Sequence, residues 1–253
     1  MRLDGKRAVV TGAGSGFGAG IARRFAAEGA RVVVCDVNAA AAQAVAAEIG
    51  GLGLGCDVCS DSEAAAALAR AAEAHGPARV LVNCAGVAPA QKMLSRKGLM
   101  PLEDFRKVVE VNLVGSFNML RLFAAAAAEL EPLASGERGV VVNTASIAAY
   151  DGQIGQTAYA ASKGGVVGLT LPAARELASL AIRVVTIAPG LFGTPMLRAL
   201  PQEAQDSLSA SIPFPARLGA PSEYADLVRY ILSAEMLNGE VIRLDGALRM
   251  APR

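Results

Sequence analysis

Tyr159 and Lys163 lie four residues apart in Ala158-Tyr159-Ala160-Ala161-Ser162-Lys163-Gly164-Gly165. In a helix that spacing puts both side chains on one face. An ammonium beside a phenol favours the phenolate: at ~4 Å and an effective dielectric of ~20 the attraction is about 4 kcal/mol, or roughly three pKa units. The pair therefore predicts a phenol drawn from ~10 toward neutrality, where it exchanges a proton with an alcohol or a ketone. Ser146 follows the apolar run Val140-Val141-Val142-Asn143-Thr144-Ala145. A hydroxyl there orients a substrate oxygen; an ordinary turn serine is the alternative. Asn112 is an amide among apolar neighbours, Val109-Glu110-Val111-Asn112-Leu113. Buried amides need partners, so it serves either a water chain to Lys163 or a helix-packing hydrogen bond. The single histidine, His75, precedes Gly76-Pro77 and is expected to be solvated at a helix end. Acid–base chemistry must then use other side chains.

A second set of residues fits a dinucleotide. Thr11-Gly12-Ala13-Gly14-Ser15-Gly16-Phe17-Gly18 connects a strand pattern to a helical one. Glycines with the spacing Gly12-xxx-Gly16-x-Gly18 let the backbone turn sharply and approach a pyrophosphate. The helix start then offers free N–H groups and a positive dipole end. The next strand ends in Cys35-Asp36. A carboxylate there hydrogen-bonds both adenosine ribose hydroxyls and repels a 2′-phosphate. No Arg or Lys stands in the glycine loop or at Val37-Asn38, which favours NAD over NADP. Asp57-Val58 closes the third strand, where an adenine can rest; a strand-end turn is the alternative.

These residues need a scaffold that brings strand ends together. Nearly continuous apolar runs at 7–11, 31–35, 52–56, 79–83, 139–144, 183–188 and 240–244 mark strands covered on both faces, as in a parallel sheet. Helical segments fall between them at about 17–28, 39–48, 61–74, 103–130, 157–178 and 222–234. Ser60 with Glu63 reads as a capping box for the third of these. Alternation from end to end, without linker or repeat, predicts one doubly wound α/β domain over residues 1–253. Ligands bind outside the carboxyl ends of such strands. Two long loops follow strands and so sit at that edge. One, 87–102, carries Lys92, Arg96 and Lys97. The other, 190–220, carries five prolines and the apolar Leu191, Phe192, Met196, Leu197 and Phe214. The second is expected to act as a substrate lid, with ordinary loop packing as the alternative.

Composition narrows the function classes. Hydrophobic residues make up 53% and charged residues 19%, which excludes disorder and fits a large core. Lys and Arg number 24 against 23 Asp and Glu, giving a net charge of +1 and no footprint for nucleic acid or an anionic membrane. No uncharged apolar run reaches the length of a bilayer span. Met1 to Arg7 runs straight into a strand pattern without a targeting segment, so a cytoplasmic location is expected. Cys35, Cys56, Cys59 and Cys84 are expected to be reduced thiols. Cys56-xx-Cys59 lacks a second pair or a nearby His, so it reads as a strand end and turn, and no metal is expected.

Together TGxxxGxG at 11–18, Asp36, Asn83-Cys84-Ala85-Gly86, Asn112, Ser146, Tyr159-xxx-Lys163 and Pro189-Gly190 resemble the short-chain dehydrogenase/reductase family, nearly over the whole chain and in its order. The resemblance implies a Rossmann domain with a mostly parallel seven-stranded sheet and a homotetramer. It implies Tyr159 as acid/base, Lys163 holding the nicotinamide ribose, Ser146 polarising the substrate oxygen, and Asn112 anchoring a proton-relay water. Cofactor contacts are implied at Gly12, Ser15, Gly16, Phe17, Gly18, Asp36, Asp57, Val58, Asn83, Cys84, Ala85, Gly86, Tyr159, Lys163, Pro189, Gly190, Phe192 and Thr194. Thr194 would meet the carboxamide. Substrate contacts are implied at Ser146, Gln153 and Tyr159. Asn143-Thr144-Ala145-Ser146, residues 187–195 and residues 237–247 resemble the branch of type-2 3-hydroxyacyl-CoA dehydrogenases. That implies NAD-dependent oxidation of the 3-hydroxyl of acyl-CoA thioesters, with tolerance of steroid alcohols. Cys84 and Ala247 depart from the family's NNAG and DGG. Lys92, Arg96 and Lys97 either meet coenzyme A phosphates or form a solvated loop. A 3-oxoacyl-carrier-protein reductase normally wants NADPH, which Asp36 disfavours. A non-catalytic NAD-binding scaffold would not need Ser146, Tyr159 and Lys163 together.

Overall fold

The computed structural model describes residues 1–96 and 98–252, leaving Lys97, Arg253 and the Met196 side chain outside the described residues. Seven strands build the main sheet: β1 Arg7–Thr11, β2 Arg31–Asp36, β3 Leu52–Gly55, β4 Val80–Asn83, β7 Gly139–Thr144, β8 Ile182–Pro189 and β9 Val241–Leu244. The first helices are α1 Gly16–Ala27, α2 Ala39–Ile49 and α3 Asp61–His75. After β4 comes a small hairpin, β5 Leu94–Ser95 and β6 Gly98–Leu99. The remaining helices are α4 Leu102–Val109, α5 Gly115–Ala128, α6 Ala148–Asp151, α7 Thr157–Leu177, α8 Pro195–Arg198, α9 Gln202–Ala210 and α10 Pro221–Ser233.

The strand order is β3-β2-β1-β4-β7-β8-β9, and every adjacent pair is parallel. The order reverses between β1 and β4, which opens a crevice at their carboxyl ends. The continuous apolar runs serve both faces at once. Val10, Val34, Val82 and Val142 pack in one cluster with Ile21, Phe25 and Val228 of α1 and α10. Val9, Val33, Leu81 and Val141 pack in another with Ala67 of α3 and Phe123 of α5. Burying each such side chain stabilises the fold by about 1.5–3 kcal/mol.

Several local expectations change. Ser60 Oγ accepts the Glu63 N–H at 3.3 Å, but Glu63 Oε2 accepts from Asp57 N at 3.0 Å instead of closing the box on Ser60. The expected helix at 103–130 runs from Leu102 to Ala128 and carries a π-turn, Glu110–Val114, between α4 and α5. Residues Leu102–Ala128 pass, by length and composition, for a membrane span, with a mean hydropathy of 1.3 over 18 residues; half of that window is buried inside the fold. His75 is not fully solvated: it ends α3, yet its Nε2 is buried without a partner. As expected, Cys56 follows the end of β3 and leads into the turn that holds Cys59. In the 190–220 segment Phe192 and Ile212 are buried and Gly219 N donates to Leu191 O at 2.9 Å, so this stretch is packed down at its base.

Candidate active site

The crevice between β1 and β4 is closed at its floor by hydrogen bonds. Thr11 Oγ1 accepts from Cys84 N at 3.2 Å and from Ala85 N at 3.3 Å. Gly12 has φ +60°, and a Cβ there would stand 2.6 Å from the Ala85 backbone, so only glycine lets the turn lie against this segment. Gly14 N donates to Asp36 Oδ2 at 2.9 Å, and a Cβ on Gly14 would meet that same oxygen. Asp36 Oδ1 accepts from Asn38 N at 2.9 Å. The carboxylate is thus fixed beside the glycine turn with a lone pair left on each oxygen. Facing it across the loop, Thr194 Cγ2 is the nearest contact a Cβ on Gly16 would find, at 3.9 Å.

Not every implied cofactor residue presents its side chain here. Asn83 is buried, and its amide donates to Ser116 O and Asn143 Oδ1. The Cys84 thiol accepts from Thr144 Oγ1 at 3.5 Å, and burial pushes its pKa up to about 11. Phe17 and Phe192 turn their rings inward, 5.1 Å apart edge to face. Asn83 and Phe192 are buried, while Phe17 and Cys84 are half-buried. Ser15 precedes α1 in extended backbone and makes no side-chain cap bond. Gly18 packs on the Gly12 carbonyl, and Gly190 on Asp245. Pro189 ends β8 with its carbonyl accepting from Ile147 N. Asp57 lies just past β3, its carboxylate accepting from Cys59 N at 2.9 Å; Val58 is buried.

The acid–base cluster forms where β7 meets α7. Ser146 leaves the end of β7 and accepts from Ala148 N at 3.1 Å. Its hydroxyl faces the Tyr159 phenol closely enough to lower that group's pKa. Burial outweighs this and holds Tyr159 above the ordinary phenol range. The expected drop toward neutrality therefore does not arise from Lys163 alone. Lys163 Nζ lies 5.9 Å from the Tyr159 ring centroid and donates to the Thr144 carbonyl at 2.7 Å. Lys163 is itself buried, which lowers its pKa from 10.5 to about 8. Thr144 O takes one of three N–H groups, leaving two for hydroxyls of a ligand ribose. With Asp36 and the glycine turn, that fully buried donor makes the crevice fit a dinucleotide.

Two implied residues also hold the fold together. Asn112 sits in the π-turn and spends both amide N–H bonds on packing, to Val87 O and Ser162 Oγ, each at 2.9 Å. Its Oδ1 accepts from Val87 N at 2.8 Å, and its main-chain oxygen accepts from Ser116 Oγ. The amide clips the segment after Gly86 to α7; both its N–H groups are taken, while Oδ1 and the main-chain oxygen each keep a lone pair that a relay water can use. Gly86 stays glycine because a Cβ would stand 3.0 Å from Asn112 Oδ1. Gln153 donates to Ala251 O at 2.9 Å, so the C-terminal segment holds its amide. Thr144 and Tyr224 belong to the site and had no local signal. Their hydroxyls meet at 2.8 Å across 80 residues of chain.

A family model for short chain dehydrogenase matches residues 6–205. The 3-hydroxyacyl-CoA dehydrogenase type-2 of Rattus norvegicus is 50% identical over 254 residues, covering 99% of this chain and 97% of the relative. A crystal structure of 3-hydroxyacyl-CoA dehydrogenase type-2 from Mycobacterium avium superposes with a TM-score of 0.94 at 44% identity, over 98% of both chains. A 7α-hydroxysteroid dehydrogenase complexed with NADH and 7-oxo glycochenodeoxycholic acid gives 0.89 at 33% identity, over 100% of this chain and 97% of the other. The crevice takes a nicotinamide cofactor, and the chain belongs to the short-chain dehydrogenase family of oxidoreductases.

Proposed function

We propose that this enzyme oxidises the 3-hydroxyl of 3-hydroxyacyl-CoA thioesters with NAD, and reduces the corresponding ketone in reverse. The observation that carries this reading is Ser146, Tyr159 and Lys163 gathered at the carboxyl edge, beside a carboxylate pinned to the glycine turn. The half-identity to a named 3-hydroxyacyl-CoA dehydrogenase supports the substrate class. NAD, when bound, supplies the hydride acceptor and a positive charge near Tyr159. Tyr159 takes the substrate hydroxyl proton. Ser146 orients the same oxygen, and Lys163 holds the ribose and favours the phenolate. Holding substrate and cofactor in reacting geometry supplies most of the rate.

Asp36 decides the cofactor. The Asp36→Arg enzyme is expected to lose two ribose hydrogen bonds and gain a partner for a 2′-phosphate. Its ratio of kcat/KM for NAD over NADP should fall by about 100-fold, the equivalent of about 3 kcal/mol. Initial rates with both cofactors measure it, and an unchanged ratio contradicts the ribose assignment. The same comparison separates the proposed reaction from a carrier-protein reductase, which would run faster with NADPH.

The substrate class is tested by a panel at fixed NAD, from short to long 3-hydroxyacyl-CoA plus a steroid alcohol. The β5–β6 hairpin adds a sharper arm. Leu94 and Leu99 are 72% and 78% exposed, and the hairpin's base is tied to the Ser146–Tyr159 connection by Gln91 N to Gly155 O at 2.8 Å. We assign Lys92 and Arg96 to the coenzyme A phosphates. Replacing both with Ala should raise KM for CoA thioesters by about tenfold and leave an uncharged alcohol unaffected. Equal effects on both substrates would make the hairpin a solvated loop. Val114, Phe117 and Leu171 are exposed apolar residues that suit self-assembly, and light scattering tests the proposed homotetramer.

A further inference from the structure

Tyr224 takes no part in the proton and hydride steps, yet it touches both Thr144, whose carbonyl holds Lys163, and Phe17 of the glycine turn. It is fully buried on α10. Thr144 Oγ1 lies 3.5 Å from Cys84 Sγ and shares a 2.8 Å hydrogen bond with the Tyr224 hydroxyl, so its rotamer is held from two sides. Thr144 is the last residue of β7, and its main-chain oxygen holds the Lys163 ammonium. The Tyr224 ring stacks on Phe17 of the glycine loop, with centroids 4.3 Å apart. We propose that Tyr224 is a positioning residue for Lys163: its hydroxyl locks the rotamer of Thr144, and so aims the carbonyl that holds the ammonium, while its ring props the glycine turn. This rests on the reading of Tyr159 and Lys163 as the proton-handling pair.

A strand-end carbonyl has fewer ladder bonds to hold its direction than one inside the sheet, so a side-chain lock matters most there. The titratable groups facing Lys163 are Cys84, from the segment after β4, and Tyr159 on its own helix. Tyr224 and Cys84 face each other from α10 and that segment. A displaced ammonium stabilises the Tyr159 phenolate less, so phenolate formation moves to higher pH.

Tyr224→Phe keeps the ring and its stack and deletes only the hydroxyl. At pH 7 its kcat is expected to fall about tenfold, with KM for NAD changed less than about threefold. The acidic limb of kcat/KM against pH should move up by about half a unit or more, so the deficit closes as pH rises. Thr144→Val should give the same shift, and the double variant should be no worse than the worse single one, because both remove one lock. If Tyr224→Phe fails to fold, the Thr144→Val profile decides. A limb that superposes on wild type, a loss equal at every pH, or additive effects would overturn the proposal. Tyr159→Phe is assayed beside them: if it keeps turnover, the catalytic reading fails instead, whatever the Tyr224 profile shows.

Discussion

Tyr159→Phe is expected to lower kcat for alcohol oxidation by about 10³-fold or more, at the upper part of the range for losing a general acid–base group. The hydroxyl is the whole difference between the two residues, and no other described group at the site can replace it. Ser146 accepts from Ala148 N and is assigned to orient the substrate oxygen, not to take its proton. Lys163 is tied to Thr144 O. Asn112 has no free amide N–H. Dinucleotide binding should stay within about threefold, because the turn, Asp36 and Lys163 are untouched. Stopped-flow turnover and quenching titration with NADH read the two quantities separately. Turnover within tenfold of wild type would remove Tyr159 from the chemistry.

Lys163→Met is expected to lower kcat/KM by about 10²–10³-fold, because it removes both a ribose donor and the charge that favours the phenolate. The same change should stabilise the cofactor-free protein. Burial lowers the Lys163 pKa from 10.5 to about 8. Between those values the unfolded chain binds a proton that the folded chain does not. Stability therefore rises with pH through that window, and the full penalty, on the order of 3 kcal/mol, applies below pH 8. Methionine fills the space without a charge. Its melting temperature should exceed wild type at pH 7, and the gap should close by about pH 10. An unchanged melting temperature at pH 7 would mean that the ammonium is compensated in the free enzyme. This trade of stability for function is common at active sites.

The strands were readable because both faces of a parallel sheet are covered, which makes each strand a plain apolar run. β1 and β7 have the bounds read from sequence, and the others differ by one or two residues at their ends. The glycine turn was readable for a local reason as well: strand, turn and helix start are contiguous. Helical spacing puts Tyr159 and Lys163 on one face in the same way. The packing partners of Asn112 and Gln153 were not readable, for a different reason. The Asn112 amide is consumed by Val87, 25 residues away, and by Ser162, 50 away. Gln153 is held by Ala251, 98 residues on. Those partners follow from strand order and loop packing, and nothing near either residue announces them.

The sequence by itself determined which groups can move a proton and which can hold a dinucleotide, because those choices rest on residue type and on spacing within one turn or helix. Only the tertiary structure decided how the charges balance. Burial raises the Tyr159 pKa and lowers that of Lys163, and the ammonium rests on a strand-end carbonyl instead of the phenolic oxygen. Desolvation and long-range hydrogen bonds depend on what packs around a group, and that environment comes from segments far apart in the chain.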